Sequence, residues 1–443
     1  MPSSIFTSPT LRMAALNLIA GGGFMLSTLL LARKLVERDF AEIVLLVSIL
    51  AVATQIGPFG LAVLSIRKSL SPNLQLLLRS TIHAIVVAAL TAFIAHFLYD
   101  IAEPLLIPLF LASFSGSLAT VAAAQYTLDE RFISAFFVGQ GINYFLLLAA
   151  FGAAVGFIEK SISVLWILAG GQLLLVLLVW PLLFRATPER PRHSLPTPFP
   201  WRECFNLAGI TAAVMLHAQF ERLVIPVLLT LDDLALFVAL AIFTLAPFRV
   251  VQQAIVRTFM ARMRNHVTTV ARRRLLFSEL LLMLLVTTGI SVVAWHVTRS
   301  WSNWLLSGKY SFPAPLVVAV LLMAQLRTLL SIFHGAVGAL ATPRQLAWWN
   351  MVGWMTVALA WIAAWAFSAW GLLGIVTSMI IVTILRIFCS LPILYDRLEG
   401  AHVLFVGRHR EATIPSGPRN RKCASGQEDS KQSASKTYDE QRG

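Results

Sequence analysis

Residues 36–63, VERDFAEIVLLVSILAVATQIGPFGLAV, decide the fold. From Ala41 to Val63 the only charged side chain is Glu42. A helical run of this length crosses the roughly 30 Å hydrocarbon core of a bilayer. Working outward, comparable runs occupy 13–33, 80–99, 104–125, 134–157, 162–184, 204–229, 234–259, 276–296, 313–337, 346–368 and 371–394. A soluble domain carries about 25% charged residues. Here 13% are charged, 58% are hydrophobic and the mean hydropathy is +0.77. No soluble core hides that much apolar surface, so the sequence reads as an all-α polytopic membrane protein with about twelve transmembrane helices. The first run is too long for a signal-peptide core and lacks a small-residue cleavage site, so it reads as a retained helix.

Lys and Arg orient the spans, because they accumulate in cytoplasmic segments. With the N-terminus inside, 25 of the 35 basic residues fall in cytoplasmic segments and 6 in external loops. Arg222, Arg249, Arg327 and Arg386 fall within spans. Both chain ends are therefore expected in the cytoplasm. The net charge of +14 is topological, and no nucleic-acid partner is expected. Cys204, Cys389 and Cys423 are too dispersed for a disulfide framework or a zinc site. The external carboxylates Glu37, Asp39, Asp100, Glu103, Glu159, Asp232 and Asp233 are scattered, and no metal-binding His-Glu motif or phosphate loop occurs. The expectation is a protein that is not an enzyme and needs no cofactor.

The domain reading is a six-helix half over 1–184, a Pro-rich basic linker over 185–203, a second six-helix half over 204–395, and a polar tail over 396–443 expected to be disordered. Residues 262–274 (RMRNHVTTVARRR) are expected to lie along the headgroups. Residues 36–46 resemble 230–240 (TLDDLALFVAL), with Asp39 matching Asp233 and Ala41 matching Ala235. Equal span numbers keep equivalent helices in the same orientation, so the repeat is parallel, the arrangement of an alternating-access carrier around a central cavity.

A charge at bilayer depth costs about 2.5–3.5 kcal/mol, so it faces a cavity or a partner. Arg249, Gln252, Gln253 and Arg257 share one helical face, as do Arg327, Ser331 and His334. With Arg222, Arg386, Asn17, Gln125 and Asn143, the residues of these faces form the candidate substrate cavity, Arg257 apart. Arg suits an anionic phosphate because its fork binds it bidentately and stays charged. Blander readings stand beside this one. Glu221 either pairs with Arg222 or neutralises an arginine of another helix. Arg257 snorkels to the cytoplasmic face. Glu279 is expected to pair with the Arg272–Arg274 run. Lone Asn and Gln often serve as interhelical glue. His217 and Glu221, one turn apart, are the candidates for ion or proton coupling. Pro58, Pro226 and Pro247 within spans can kink or loosen their helices, and ordinary membrane-helix composition accounts for them equally well.

Residues 28–68 resemble the opening of the polysaccharide and O-antigen flippases of the multidrug/oligosaccharidyl-lipid/polysaccharide exporter superfamily. Leu35, Asp39, Phe40, Gly60, Leu61 and Arg67 fit that pattern, and Ala41 stands where the family usually has Gly. The resemblance implies export of a polyprenyl-pyrophosphate-linked oligosaccharide across a bacterial inner membrane for cell-surface polysaccharide synthesis. Its implied partners are the lipid-linked glycan, membrane lipids and other polysaccharide-assembly membrane proteins. Two alternatives stand beside it. A drug/cation antiporter of the same superfamily would need a carboxylate-rich cavity. A membrane-embedded glycan-processing enzyme would need grouped carboxylates or histidines.

Overall fold

The computed structural model describes residues 9–185, 193–194, 199–249, 251–252, 259, 262–263 and 268–399. The tail, most of the linker and much of 253–267 lie outside them. Fifteen α-helices are described: α1 (Pro9–Lys34), α2 (Glu37–Ile56), α3 (Leu61–Lys68), α4 (Leu74–Tyr99), α5 (Glu103–Leu128), α6 (Phe132–Gly139), α7 (Gly141–Ala154), α8 (Ser161–Arg185), α9 (Trp201–Ala218), α10 (Phe220–Leu228), α11 (Leu231–Thr244), α12 (Thr269–Leu305), α13 (Ala314–Leu340), α14 (Pro343–Phe367) and α15 (Gly371–Glu399). No strand occurs among the described residues.

Each expected span falls mainly on helix over its described residues. By length and hydropathy, 7 helical stretches qualify to cross a membrane, or 9 with the two bent pairs. The stretch 344–398 counts once in that tally, although a 3-10 turn at Ser368–Trp370 divides it into α14 and α15. The other two expected spans fall on α1 and α11. On α4 and α12 large apolar side chains such as Phe93, Phe97, Leu281, Leu285 and Val293 stand exposed. Apolar patches on that scale are covered by lipid. The chain is a multi-pass membrane protein.

Two spans are broken rather than merely kinked. α6 and α7 meet at 53° and α9 and α10 at 63°. The breaks fall at Gln140 and Gln219, one of which sits seven residues before Pro226. Bent membrane helices leave backbone groups without helical partners, which is tolerated only where protein or a water-filled cavity surrounds them. Pro226 adds to this, because it removes the N–H that the Arg222 carbonyl would otherwise receive.

Three apolar cores hold the bundle. The largest joins both sets of helices near the external loops. It includes Leu31, Leu35 and Phe40 with Leu234, Phe237, Leu306, Leu316 and Val317. At the basic end the core splits in two. One part gathers Leu61, Leu64, Leu76, Leu118, Val179, Trp180 and Cys204. The other gathers Phe259, Met263, Leu276, Ile332, Trp349 and Ile393, and the two have no helix in common. The charge-poor end is also tied by polar contacts. Arg33 Nε donates to Ser307 Oγ at 3.1 Å, and Lys309 Nζ donates to the Leu35 carbonyl at 2.9 Å. Burial holds the Lys309 ammonium below the ordinary lysine range, with Glu37 opposing the effect.

Asp39 and Asp233, paired by the internal similarity, occupy the same third position of α2 and α11. At α11 the carboxylate completes a capping box with Thr230. These two helices pack on each other.

Between α2 and α3 the chain turns through Gly57-Pro58-Phe59-Gly60. Gly60 has φ +78°, and a Cβ there would lie 2.6 Å from the Cys204 carbonyl of α9. Only glycine allows both the left-handed backbone and that approach. Gly60→Ala is expected to cost about 2 kcal/mol and to lower the thermal midpoint in detergent by several degrees, with membrane insertion unchanged.

Candidate functional site: a cationic cluster at a broken helix

The break between α9 and α10 places His217, Gln219, Glu221 and Arg222 in the middle of a span. Glu221 is almost wholly buried, and so is Arg222. Their sequence adjacency sends them in different directions. Glu221 Oε1 accepts from Arg327 Nη2 of α13 in a buried ion pair. Arg222 instead reaches toward α1, α2 and α7. Its guanidinium lies 5.9 Å from the centroid of the Phe24 ring. It lines a cavity of about 10 Å³ with Phe24, Thr28, Val44, Val47 and Leu146, room for a single water. Arg222 makes no ion pair among the described residues. Arg249, in the helical stretch after α11, is near enough to Arg222, Arg327 and Glu221 for their charges to act on it.

The result is three guanidinium groups sharing one carboxylate at bilayer depth. Gln252 extends the cluster, donating to Thr328 Oγ1 of α13 at 3.1 Å. Ser331 turns inward on its own helix and donates to the Arg327 carbonyl at 3.0 Å. Arg327 Nε has no hydrogen-bond partner among the described residues.

A second group lies deeper in the helices after the break. Arg386 of α15 is buried, with its guanidinium 5.5 Å from the Trp349 ring centroid. His334 of α13 meets the same indole edge-on at 5.0 Å. Gly353 lies beside this arginine, where a Cβ would meet Arg386 Nη2 at 3.5 Å, an ordinary van der Waals contact. His217 lies in electrostatic range of Arg386, Arg327 and His334, and neither ring nitrogen has a hydrogen-bond partner among the described residues. The cation–π contact with Trp349 is worth about 2 kcal/mol when desolvated, less than the cost of placing the charge there.

The expected site residues thus divide. Arg222, Arg249, Arg327 and Gln252 come together with Glu221. His334 and Arg386 form the neighbouring group with His217. Gln125 is buried in α5. Asn143 bonds to Gln140 at the α6–α7 break, 2.5 Å away. Gln253, Arg257 and the side chain of Asn17 lie outside the described residues. Of the two readings of Glu221, the partner is an arginine of another helix, because α10 turns the adjacent Arg222 toward α1 and α2. The expected pairing of Glu279 with Arg272–Arg274 is corrected: Glu279 pairs with Arg262. Residues 262–263 are helical and sit back beside α12, with Met263 in the same core as Leu276. Sequence reading missed Phe24 and Thr28 beside Arg222, and the hinge at Gln219. A polar Gln between His217 and Glu221 was the available signal for that hinge.

No protein-family profile and no curated protein sequence matches the chain. Among solved structures, the lipid II flippase MurJ in an inward closed conformation superposes with a TM-score of 0.63 at 13% identity. The match covers 92% of this chain and 94% of that one. The chain has the MurJ fold. At that identity the likeness concerns the path of the backbone through almost the whole of both chains, and not the residues of the cluster.

Removing one partner of a buried ion pair strands the other charge. Glu221→Gln is therefore expected to destabilise the protein by about 3 kcal/mol. Glu221→Gln combined with Arg327→Met is expected to recover most of that loss, measured by thermal unfolding of both variants in the same detergent.

Proposed function

We propose that the chain is a flippase that moves a polyprenyl-pyrophosphate-linked oligosaccharide across the bacterial inner membrane by alternating access, for cell-surface polysaccharide synthesis. The observation that carries this reading is the excess of guanidinium over carboxylate in the cluster of Arg222, Arg249, Arg327 and Glu221. A pyrophosphate supplies the acceptor oxygens that such a cluster lacks. A cation antiporter would need the opposite balance of charge.

The three cores support the transport cycle. In this reading the shared core joins the proposed six-helix halves, 1–184 and 204–395, at the external end, and the two basic-end cores lie on either side of their cytoplasmic parting, with the start of α9 at Cys204 packed on the first of them. In this conformation the halves close around Arg222, where an oligosaccharide finds no space. Cargo enters from the cytoplasmic side as the two basic-end cores draw apart. It leaves when the shared core parts and the Arg33–Ser307 and Lys309–Leu35 ties break. The fold's likeness to a flippase of lipid II agrees with a lipid-linked cargo, and the polysaccharide-family pattern at 28–68 agrees with a glycan other than lipid II. His217 stands as the titratable group for coupling to protons, since Glu221 is held by Arg327.

Arg222→Gln and Arg249→Gln are each expected to lower glycan export at least about tenfold, the loss of one charge-assisted contact, with protein levels unchanged. Export is measured as surface polysaccharide in a strain that depends on this protein. Full export by both variants would remove the anionic-cargo reading. Arg33→Cys with Ser307→Cys, in a chain whose native cysteines are replaced, is expected to react with a short bifunctional thiol reagent and to lose transport when bridged. Unimpaired transport by the bridged protein would mean that this end does not open.

A further inference from the structure

A second cavity, of about 670 Å³, opens beside the start of α9 at the basic end. Arg67, Phe199, Trp201, Arg202, Asn206 and Ile210 are among the residues that line it. It lies on helices α3 and α9, apart from the cluster around Arg222. Its charge is unbalanced. Glu203 is engaged by Lys68 at 2.6 Å, while Arg67 stands 3.9 Å away and is largely exposed. Arg202 is exposed and forms no ion pair among the described residues. Arg79 lies over the Phe199 ring at 5.4 Å.

Behind these cations sits a packed aromatic group. Phe199 and Trp201 are 4.6 Å apart, His83 is 5.7 Å from Trp201, and Phe59 is 6.1 Å from Phe205. Aromatic side chains gather at the headgroup level of membranes because one part of the ring is apolar and the other wet. Along α9, Ile210 and Val214 stand exposed one turn apart and continue, on the side that carries Arg202 and Asn206, as an apolar strip from the cavity along the helix. A cationic pocket above an apolar strip matches the two chemistries of a phospholipid, a phosphate head and an acyl chain.

We propose that this pocket seats the headgroup of an anionic glycerophospholipid from the cytoplasmic leaflet, its phosphate held by Arg67 and Arg202 and an acyl chain laid along Ile210 and Val214. Basic pockets between membrane helices on this side bind such heads, each basic residue adding to the affinity. The site bridges α3 and α9 where Gly60 meets the Cys204 carbonyl. A bound lipid therefore clamps the joint between the first helices and the broken helix that carries Glu221 and Arg222. The proposal does not depend on the nature of the cargo.

Native mass spectrometry of the full chain in detergent tests it, with phosphatidylglycerol and phosphatidylcholine as probes. The expected result is preferential retention of phosphatidylglycerol, weakened about tenfold or more when Arg67 and Arg202 are both changed to Gln. Retention is expected to persist in Arg67→Lys with Arg202→Lys and in Arg222→Gln. Equal retention of the two lipids would overturn the proposal. So would phosphatidylglycerol binding that survives the double Gln change, or that is lost with Arg222→Gln instead. Should the double Gln protein not fold, Arg202→Gln alone, at an exposed position, must still weaken retention about threefold, and unchanged retention counts against the site.

Discussion

The ion pair between Glu221 and Arg327 is what the interior of this protein is arranged around. In hydrocarbon neither charge would be tolerated alone. Together they fix α10 against α13 and leave two further guanidinium groups nearby without carboxylates of their own. The bend at Gln219 makes this arrangement attainable. A continuous helix would carry Glu221 and Arg222 round by a fixed turn per residue. The break lets one side chain stay with the later helices while the other reaches across to α1, α2 and α7. Structure at the bend, and charge at the bend, are therefore one feature.

Much of the fold was legible in the sequence. Apolar runs located the helical segments over the described residues, because bilayer thickness constrains length and composition so strongly. The breaks were harder to see. Pro226 was the visible signal in its span, yet the chain bends seven residues earlier at Gln219. Proline removes one hydrogen bond; where a helix yields is decided by which backbone groups the surrounding helices can satisfy. That is a tertiary property.

The candidate site was readable in part for the same reason. Four in-span arginines announce themselves by their cost. The grouping of three of them with Glu221, and the separate placement of Arg386 beside Trp349 and His334, depends on how α13, α14 and α15 cross. The Glu279 expectation shows the limit of neighbourhood in sequence. The nearest basic run was three arginines five to seven residues before it, and the carboxylate found Arg262 instead. Opposite charges are paired by geometry, and adjacency along the chain only supplies the candidates.

The split of the apolar core at one end has an energetic corollary. Parting the shared core would bare surface that lipid does not reach, and hydrophobic free energy scales with the area uncovered. A cycle with accessible states at both ends requires a comparable area to be covered as the opening proceeds. In the proposed cycle, the faces able to supply it are those between the Leu64–Trp180 and Ile332–Trp349 groups. Side chains on those faces would then set the balance between the two proposed orientations without ever touching cargo. Their size and shape, more than their polarity, would govern how often the molecule turns over.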